Sequence, residues 1–334
     1  MTLGGSDIAT ILGWNPYEDP IGLYGRKRGL IERDETDSEA AQAGRFLEEG
    51  ILRWYAKRTG RRLVSPVQVA KMLDMCRLHR KVDLQRAPES VRGIEGFEVA
   101  AALVDHLEVH WSDPLERQSP IFRSKAEPWR LLTPDAFAFD EAMGWGIVDA
   151  KNLHASKAAD WADGVPPDKA PQVAYYTQPT PFLWGGFAVV FGGQRLVSYD
   201  IRRGDMESIF ELIDEEVPDF LRHVEIGEEP RAEPSRKSLA ALKRLYPSPR
   251  KGKTVAWVSG FAMADGSVVD PEDFDVEYLE VKSQCREWND RRDQLQAILR
   301  AVAKDAEFVR MRGGVAYRFT TSENGRQSIR RSRR

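Results

Sequence analysis

Apolar positions recur along the chain in two periods, and the switch between them marks out its elements. Leu131–Phe139 and Trp145–Val148 are apolar runs either side of a short turn at Glu141–Gly144, the pattern of a β-hairpin. Upstream the period is helical. Over Ser38–Thr59, Phe46, Leu47, Ile51, Leu52 and Tyr55 recur at helical steps, and Gly60 follows as a terminator. Shorter helices are predicted from Ser6 or Asp7 to Gly13, with Ile8, Ile11 and Leu12 on one face, and over Pro20–Arg28. The basic Arg26-Lys27-Arg28 end of the latter complements a helix dipole. Ser156–Gly164 reads as a short helix or lid. Pro166-Pro167-Asp168 introduces a helix through Tyr176, with Gln172, Tyr175 and Tyr176 near one face. Gly185–Gly192 and Arg195–Ile201 form a second strand pair around Gly192-Gly193, and Asp205–Val224 is an amphipathic helix that Pro218 is placed to bend. Helix, hairpin, helix, strand pair and helix in that order predict an α/β sandwich on a mixed sheet.

Two stretches resist this reading. From Ser65 to Arg123 short apolar pieces, Val67–Leu73 and Phe97–Leu103, alternate with polar ones. Arg77, His79, Arg80 and Lys81 form a basic cluster there that suits a groove or a solvated edge equally. Glu225–Pro249, rich in proline and charge, reads as a linker. Beyond it Tyr278, Val281, Cys285, Trp288, Leu295, Leu299 and Val302 keep a near-heptad spacing broken by Arg292, which predicts a long helix, more readily packed on a core than on a partner. Val315–Thr321 reads as the last strand, followed by a cationic arm holding Arg326, Arg330, Arg331, Arg333 and Arg334.

Composition narrows the class. With 334 residues, 42% of them hydrophobic, the chain can bury a core in one large domain or two small ones. Lys+Arg 49 against Asp+Glu 52 announces no overall nucleic-acid binder, although net charge says nothing of local patches. The 2 cysteines, Cys76 and Cys285, make no CxxC pattern, and the 5 histidines show no zinc spacing. No apolar run has membrane length and no signal segment is seen, so a cytoplasmic protein is expected.

The candidate chemistry sits on the hairpin. Asp135 lies in its first run; Asp149 and Lys151 close the second, and strand residues two apart share a face. Two carboxylates on neighbouring strands beside an ammonium suit a divalent metal and the water it activates. Taken alone, such an Asp and D-x-K occur by chance in most chains. Glu48 and Glu49, in the middle of the long N-terminal helix, are either an exposed pair or supply one side chain facing the hairpin.

At this spacing, P-D followed by D-x-K, the chain resembles the lambda-exonuclease-like, YqaJ-type viral recombinase nucleases of the PD-(D/E)XK superfamily. The likeness runs from GGSDIATILGWNPYEDP through GRFLEEGILRWYAKRTGR, WRLLTPDAF and GIVDAK to ASKAADWADGVPPDKAPQVAYY and WGGFAVVFGGQRLVSYDI, roughly residues 4–224. It implies an α/β fold with a PD-(D/E)XK (restriction-endonuclease-like) core, a mixed central sheet flanked by helices, and a mainly helical C-terminal extension. In domains, this means a nuclease domain over 1–224 with a poorly recognisable 65–123, a linker over 225–250 and an extension over 251–334. By motif, Asp135, Asp149, the Ala150 carbonyl and Glu48 correspond to the metal site, Lys151 to the catalytic lysine and Gln172 to a catalytic glutamine. Ser6 and Thr133 fall where hydroxyls hold a terminal 5′-phosphate. Asp149 stands where the family commonly has glutamate.

The resemblance further implies a Mg²⁺- or Mn²⁺-dependent deoxyribonuclease, an exonuclease working 5′→3′ from double-stranded DNA ends in phage-type homologous recombination. Its implied partners are a single-strand annealing protein and further copies of the chain in a ring. Two alternatives stay open: an endonuclease of the same superfamily in restriction or defence, and a non-catalytic scaffold that binds DNA ends. A four-cysteine iron–sulfur nuclease does not fit 2 cysteines.

Overall fold

The computed structural model describes residues 1–32, 39–78, 94–112, 120–231, 234–248, 251–263, 267–303, 306–311, 315–321 and 327–333. It divides into two units, Met1–Arg250 and Lys251–Arg334.

The first unit is mixed α/β. In chain order it runs α1 (Gly5–Ile11), α2 (Pro20–Lys27), α3 (Glu39–Thr59), β1 (Arg62–Val64), α4 (Pro66–Leu78), α5 (Phe97–Leu103), β2 (Leu107–Trp111), β3 (Pro120–Ser124), β4 (Leu131–Leu132), β5 (Ala136–Asp140), β6 (Gly144–Leu153), α6 (Ala170–Thr177), β7 (Trp184–Phe191), β8 (Arg195–Arg202), α7 (Glu207–Ile226) and α8 (Arg236–Leu245). The central sheet has the order β1-β5-β6-β7-β8. β6 and β7 are parallel and joined through α6, whereas the other neighbours are antiparallel.

The predicted hairpin is β5–β6, but its first run is not one strand. Pro134 has no N–H to give to a ladder, and the chain changes sheets around it. Leu131 and Leu132 pair with β3, while Ala136–Asp140 joins the central sheet. In the weak region, Val67–Leu73 and Phe97–Leu103 both lie in helices, α4 and α5. The basic cluster falls outside the description: His79, Arg80 and Lys81 are not among the described residues, nor is the Arg77 side chain.

Alternation along the strands gives the central sheet two different faces. Phe137, Ile147, Phe187 and Val189 belong to one core with residues of α1, α6 and α7, such as Ile8, Val173 and Phe210. Ala136, Ala138, Val148, Ala188 and Val190 belong to another with Ile51 and Tyr55 of α3. Short side chains on that second face let the long α3 lie close.

The proline-rich stretch read as a linker contains α8. Ser235 caps it, its side chain accepting from the Ser238 N–H, and the helix packs on α2. Gly25 permits the approach, since a Cβ there would lie 3.0 Å from Leu245 Cδ2.

The second unit holds α9 (Pro271–Ala303), a small pair β9 (Phe261–Ala262) with β10 (Val268–Val269), and a sheet of β11 (Phe308–Arg310), β12 (Val315–Thr321) and β13 (Gln327–Arg333). Two expectations change here. The arginine-rich tail is not a loose arm where it is described: Arg330 and Arg331 sit in β13, opposite Arg318 and Tyr317. The heptad-like helix exists, but its apolar side chains are exposed rather than packed in a core. Among the described residues no helix is long and apolar enough to cross a membrane.

Candidate active site

The hairpin register builds the site. Ala136 pairs with Val148, and one further step of the same antiparallel register sets Asp135 opposite Asp149. Cross-strand partners share a face, and Lys151 follows two residues along β6. All three therefore point to the side where α1, α6 and α7 pack. Asp135 Oδ2 accepts a hydrogen bond from the Ala150 N–H at 2.7 Å, which ties the start of β5 to β6.

α6 delivers the fourth member. Gln172 Nε2 donates to Asp149 Oδ1 at 2.8 Å, and its Oε1 accepts from Lys151 Nζ at 3.2 Å. One amide thus orients both the carboxylate and the ammonium. α6 lies this close to the sheet because β7 carries Gly185, where a Cβ would come within 2.4 Å of Val173 Cγ1. Lys151 Nζ also contacts Asp149 Oδ2 as an ion pair.

Charge in the cluster is unbalanced. Burial, with the charges of Asp149 and Glu48, pushes the Asp135 carboxyl up to about 8. Glu48 is raised by burial and then by Asp149, with Lys151 offsetting part of the rise. Burial opposes the Lys151 ammonium, but Asp149 and Asp135 outweigh it and hold its pKa above the usual value. Glu48, on α3, thus acts on the cluster through its charge.

A divalent cation fits this donor set. Asp149 Oδ2 is buried against the Lys151 ammonium, whose charge also acts on Asp135 and Glu48. Asp135 and Glu48, each raised by burial and by the charge of Asp149, share with it a single ammonium and leave the cluster short of positive charge. Among the described residues no three His, Cys, Asp or Glu side chains are grouped to hold a metal by themselves, so a backbone carbonyl and water would have to complete the shell.

One of the two hydroxyl candidates, Thr133, meets a residue the sequence singled out only as a helix-face aromatic. Thr133 Oγ1 lies 3.1 Å from the Tyr176 hydroxyl. Ser6 is exposed on α1, next to Gly5, where a Cβ would sit 2.6 Å from Tyr176 Cε1. α1 can therefore approach α6 only with glycine at position 5. The signal was present in the Gly4-Gly5 and Gly185-Gly186 doublets, each of which marks a close approach of backbone to a neighbour. Tyr176 is raised by burial and by Asp149, with the Thr133 and Gln172 hydrogen bonds offsetting part of it.

No protein-family model matches the chain. A comparison with curated proteins finds the uncharacterized protein YqaJ of Bacillus subtilis (strain 168), 24% identical over 309 residues, which cover 92% of this chain and 76% of that protein. The chain is YqaJ-like. The motif resemblance stopped near residue 224, whereas an alignment of this extent necessarily takes in most of the second unit. Among solved structures, an alkaline exonuclease (LHK-Exo) from Laribacter hongkongensis superimposes with a TM-score of 0.39 at 13% identity, over 68% of this chain and 89% of that one.

Proposed function

We propose that the first unit is a metal-dependent DNA exonuclease with a PD-(D/E)XK core, hydrolysing phosphodiesters from duplex ends in the 5′→3′ direction for phage-type recombination. The observation that carries this reading is the cluster itself. Asp135, Asp149 and Lys151 share one face of a hairpin, joined by Gln172, with carboxylate charge in excess.

Asp135, Asp149 and the Ala150 carbonyl would hold Mg²⁺ or Mn²⁺, with Glu48 reaching it through water. A cation bound there lowers the pKa of a water and offsets charge on the scissile phosphate. Lys151 orients the attacking water and steadies the phosphate oxygens; Gln172 fixes Lys151 against Asp149. Ser6 and Thr133, on either side of Tyr176, would receive a terminal 5′-phosphate. Such chemistry rests on positioning and charge stabilisation.

A groove lined by Trp14, Tyr17, Leu153, Lys157, Trp161 and Lys169 opens at the end of β6. Lys157 pairs with Asp160 and Lys169 with Asp168, each at 2.9 Å, so the charges there are balanced. Trp14 and Tyr17, the exposed aromatics there, suit bases better than phosphates. A ring of copies and a single-strand annealing partner belong to the same reading.

The test incubates purified protein and Mg²⁺ with 5′-phosphorylated linear duplex and with covalently closed circular DNA, Lys151→Ala serving as control. Loss of the linear substrate alone, abolished in the variant, is the expected result. Cutting of both moves the assignment to an endonuclease. DNA-end binding without cleavage makes the protein a scaffold.

A further inference from the structure

We infer that α9 pairs in parallel with α9 of a second copy of this chain, as a two-stranded coiled coil. The inference stands apart from the chemistry proposed for the first unit.

The seam is read from spacing and exposure together. From Tyr278, positions 281, 285, 288, 292, 295, 299 and 302 follow at alternating steps of three and four without a slip. That is the a/d repeat of a left-handed coiled coil. Tyr278, Val281, Trp288 and Leu295 are 54, 49, 73 and 47% exposed. The other face carries Glu280, Arg286, Glu287, Asp290 and Asp293. The helix has 33 residues, about 50 Å at 1.5 Å each. A stripe of that length left in water is the mark of an interaction surface. Among the described residues, neighbours within the unit close only its ends. Trp257 meets Phe274 at a ring distance of 5.2 Å, and β11 packs at the other end, where Ala303 is buried.

The flanking positions favour a copy of the same helix, running the same way. With Tyr278, Cys285, Arg292 and Leu299 at a, Glu277 falls at g and Lys282 at the following e. A parallel copy in register sets Glu277 against Lys282 of the second copy, the g–e pair that supports parallel dimers. Gln284, Asn289 and Gln296, the next g and e positions, are uncharged and repel nothing. Arg292 is the one charged residue of the seam. A single polar a residue lowers stability but specifies register and strand number.

Cys285 makes the arrangement measurable, because it is exposed and at an a position faces its own counterpart. The full-length protein, in a Cys76→Ala background, is oxidised with diamide; two thiols become one disulfide, their two electrons and two protons passing to the reagent. The expected result is a covalent pair of chains on a non-reducing gel, absent in Cys285→Ser and strongly reduced in Val281→Glu. Val281→Glu with Leu295→Glu, its helix content checked by circular dichroism, gives no cross-linked pair. Chains that stay single while Cys285 reacts freely with a thiol reagent, or a cross-linked pair undiminished in the double variant, overturn the inference. A sedimenting mass that falls in the double variant without any cross-link in the parent overturns the parallel arrangement alone.

Discussion

The β5–β6 hairpin ends in two charged clusters of opposite character. At the turn, Arg61 donates to Asp140 Oδ2 at 2.9 Å and to both carboxylate oxygens of Asp200 at 2.7 Å, bonds the Tyr55 hydroxyl, and lies 4.3 Å from the centre of a Trp184 ring. Every donor there has a taker, and the Asp200 hydrogen bond leads the effects that raise the arginine's pKa. At the open end, Asp135, Asp149 and Glu48 face one ammonium, and two of the three acids are pushed up. One strand pair thus carries a balanced cluster that holds the sheet and an unbalanced one that leaves room for a cation. Perturbed, incompletely paired groups mark sites; satisfied networks mark scaffolding.

The largest effect should fall at the open end and on activity. Lys151→Ala is expected to lower nuclease turnover by about 10²- to 10³-fold, the usual cost of removing one electrostatic group. Asp149→Asn should abolish activity and also remove the stabilisation that a divalent cation confers on the wild type, about 2.7 kcal/mol at a hundred times its dissociation constant. Near-full cleavage by Lys151→Ala would sink the site assignment.

The converse experiment is Arg61→Leu. Removing the centre of a partly exposed ion cluster, together with its cation–π contact on Trp184, costs about 1–2 kcal/mol. Denaturant unfolding should show that loss while cleavage at a permissive temperature stays within a few-fold of wild type. A variant as stable as the wild type would make the turn cluster ornamental and remove the contrast.

Sequence pattern resolved these two ends unequally. Asp149 and Lys151 were legible because period-2 alternation fixes which strand residues share a face. Glu48 was legible only as one of two neighbouring acids, since helical phase does not tell how α3 is set against the sheet. Arg61 and Asp200 were not singled out; they lie 139 residues apart in sequence and meet only because β8 closes the sheet. Tyr176 was missed as a site residue for a similar reason: its partner Thr133 comes from a loop that the proline at position 134 redirects. The C-terminal part was read by composition where geometry decides. Prolines in 225–250 concealed a capped helix, and the arginines of 327–333 concealed a strand whose partner, β12, the alternation had already marked.

In the pH dependence of stability the two ends have opposite signs. Asp135 in the folded protein is raised to about 8, above an unfolded value near 3.9. Between those values the folded state holds a proton that the unfolded chain has released. Its stabilising contribution is full below about pH 4 and is lost as pH rises through about 8. Asp140 behaves in reverse. Burial works upward on it, but the Ala142 and Met143 N–H groups and Arg61 together outweigh it and hold its carboxylate below the usual range. Its contribution is present above about pH 4 and is lost as pH falls through the lowered value. Melting temperatures in a chelating buffer should therefore decline toward neutral pH in the wild type, and Asp135→Asn should flatten that limb alone. Asp140→Asn should flatten the acid limb alone. Added Mg²⁺ should suppress the neutral decline and leave the acid limb as it was, because a cation supplies the charge that only the open end lacks. If Asp135→Asn runs parallel to the wild type from about pH 5 to 8, the imbalance at the open end is not felt by the folded protein.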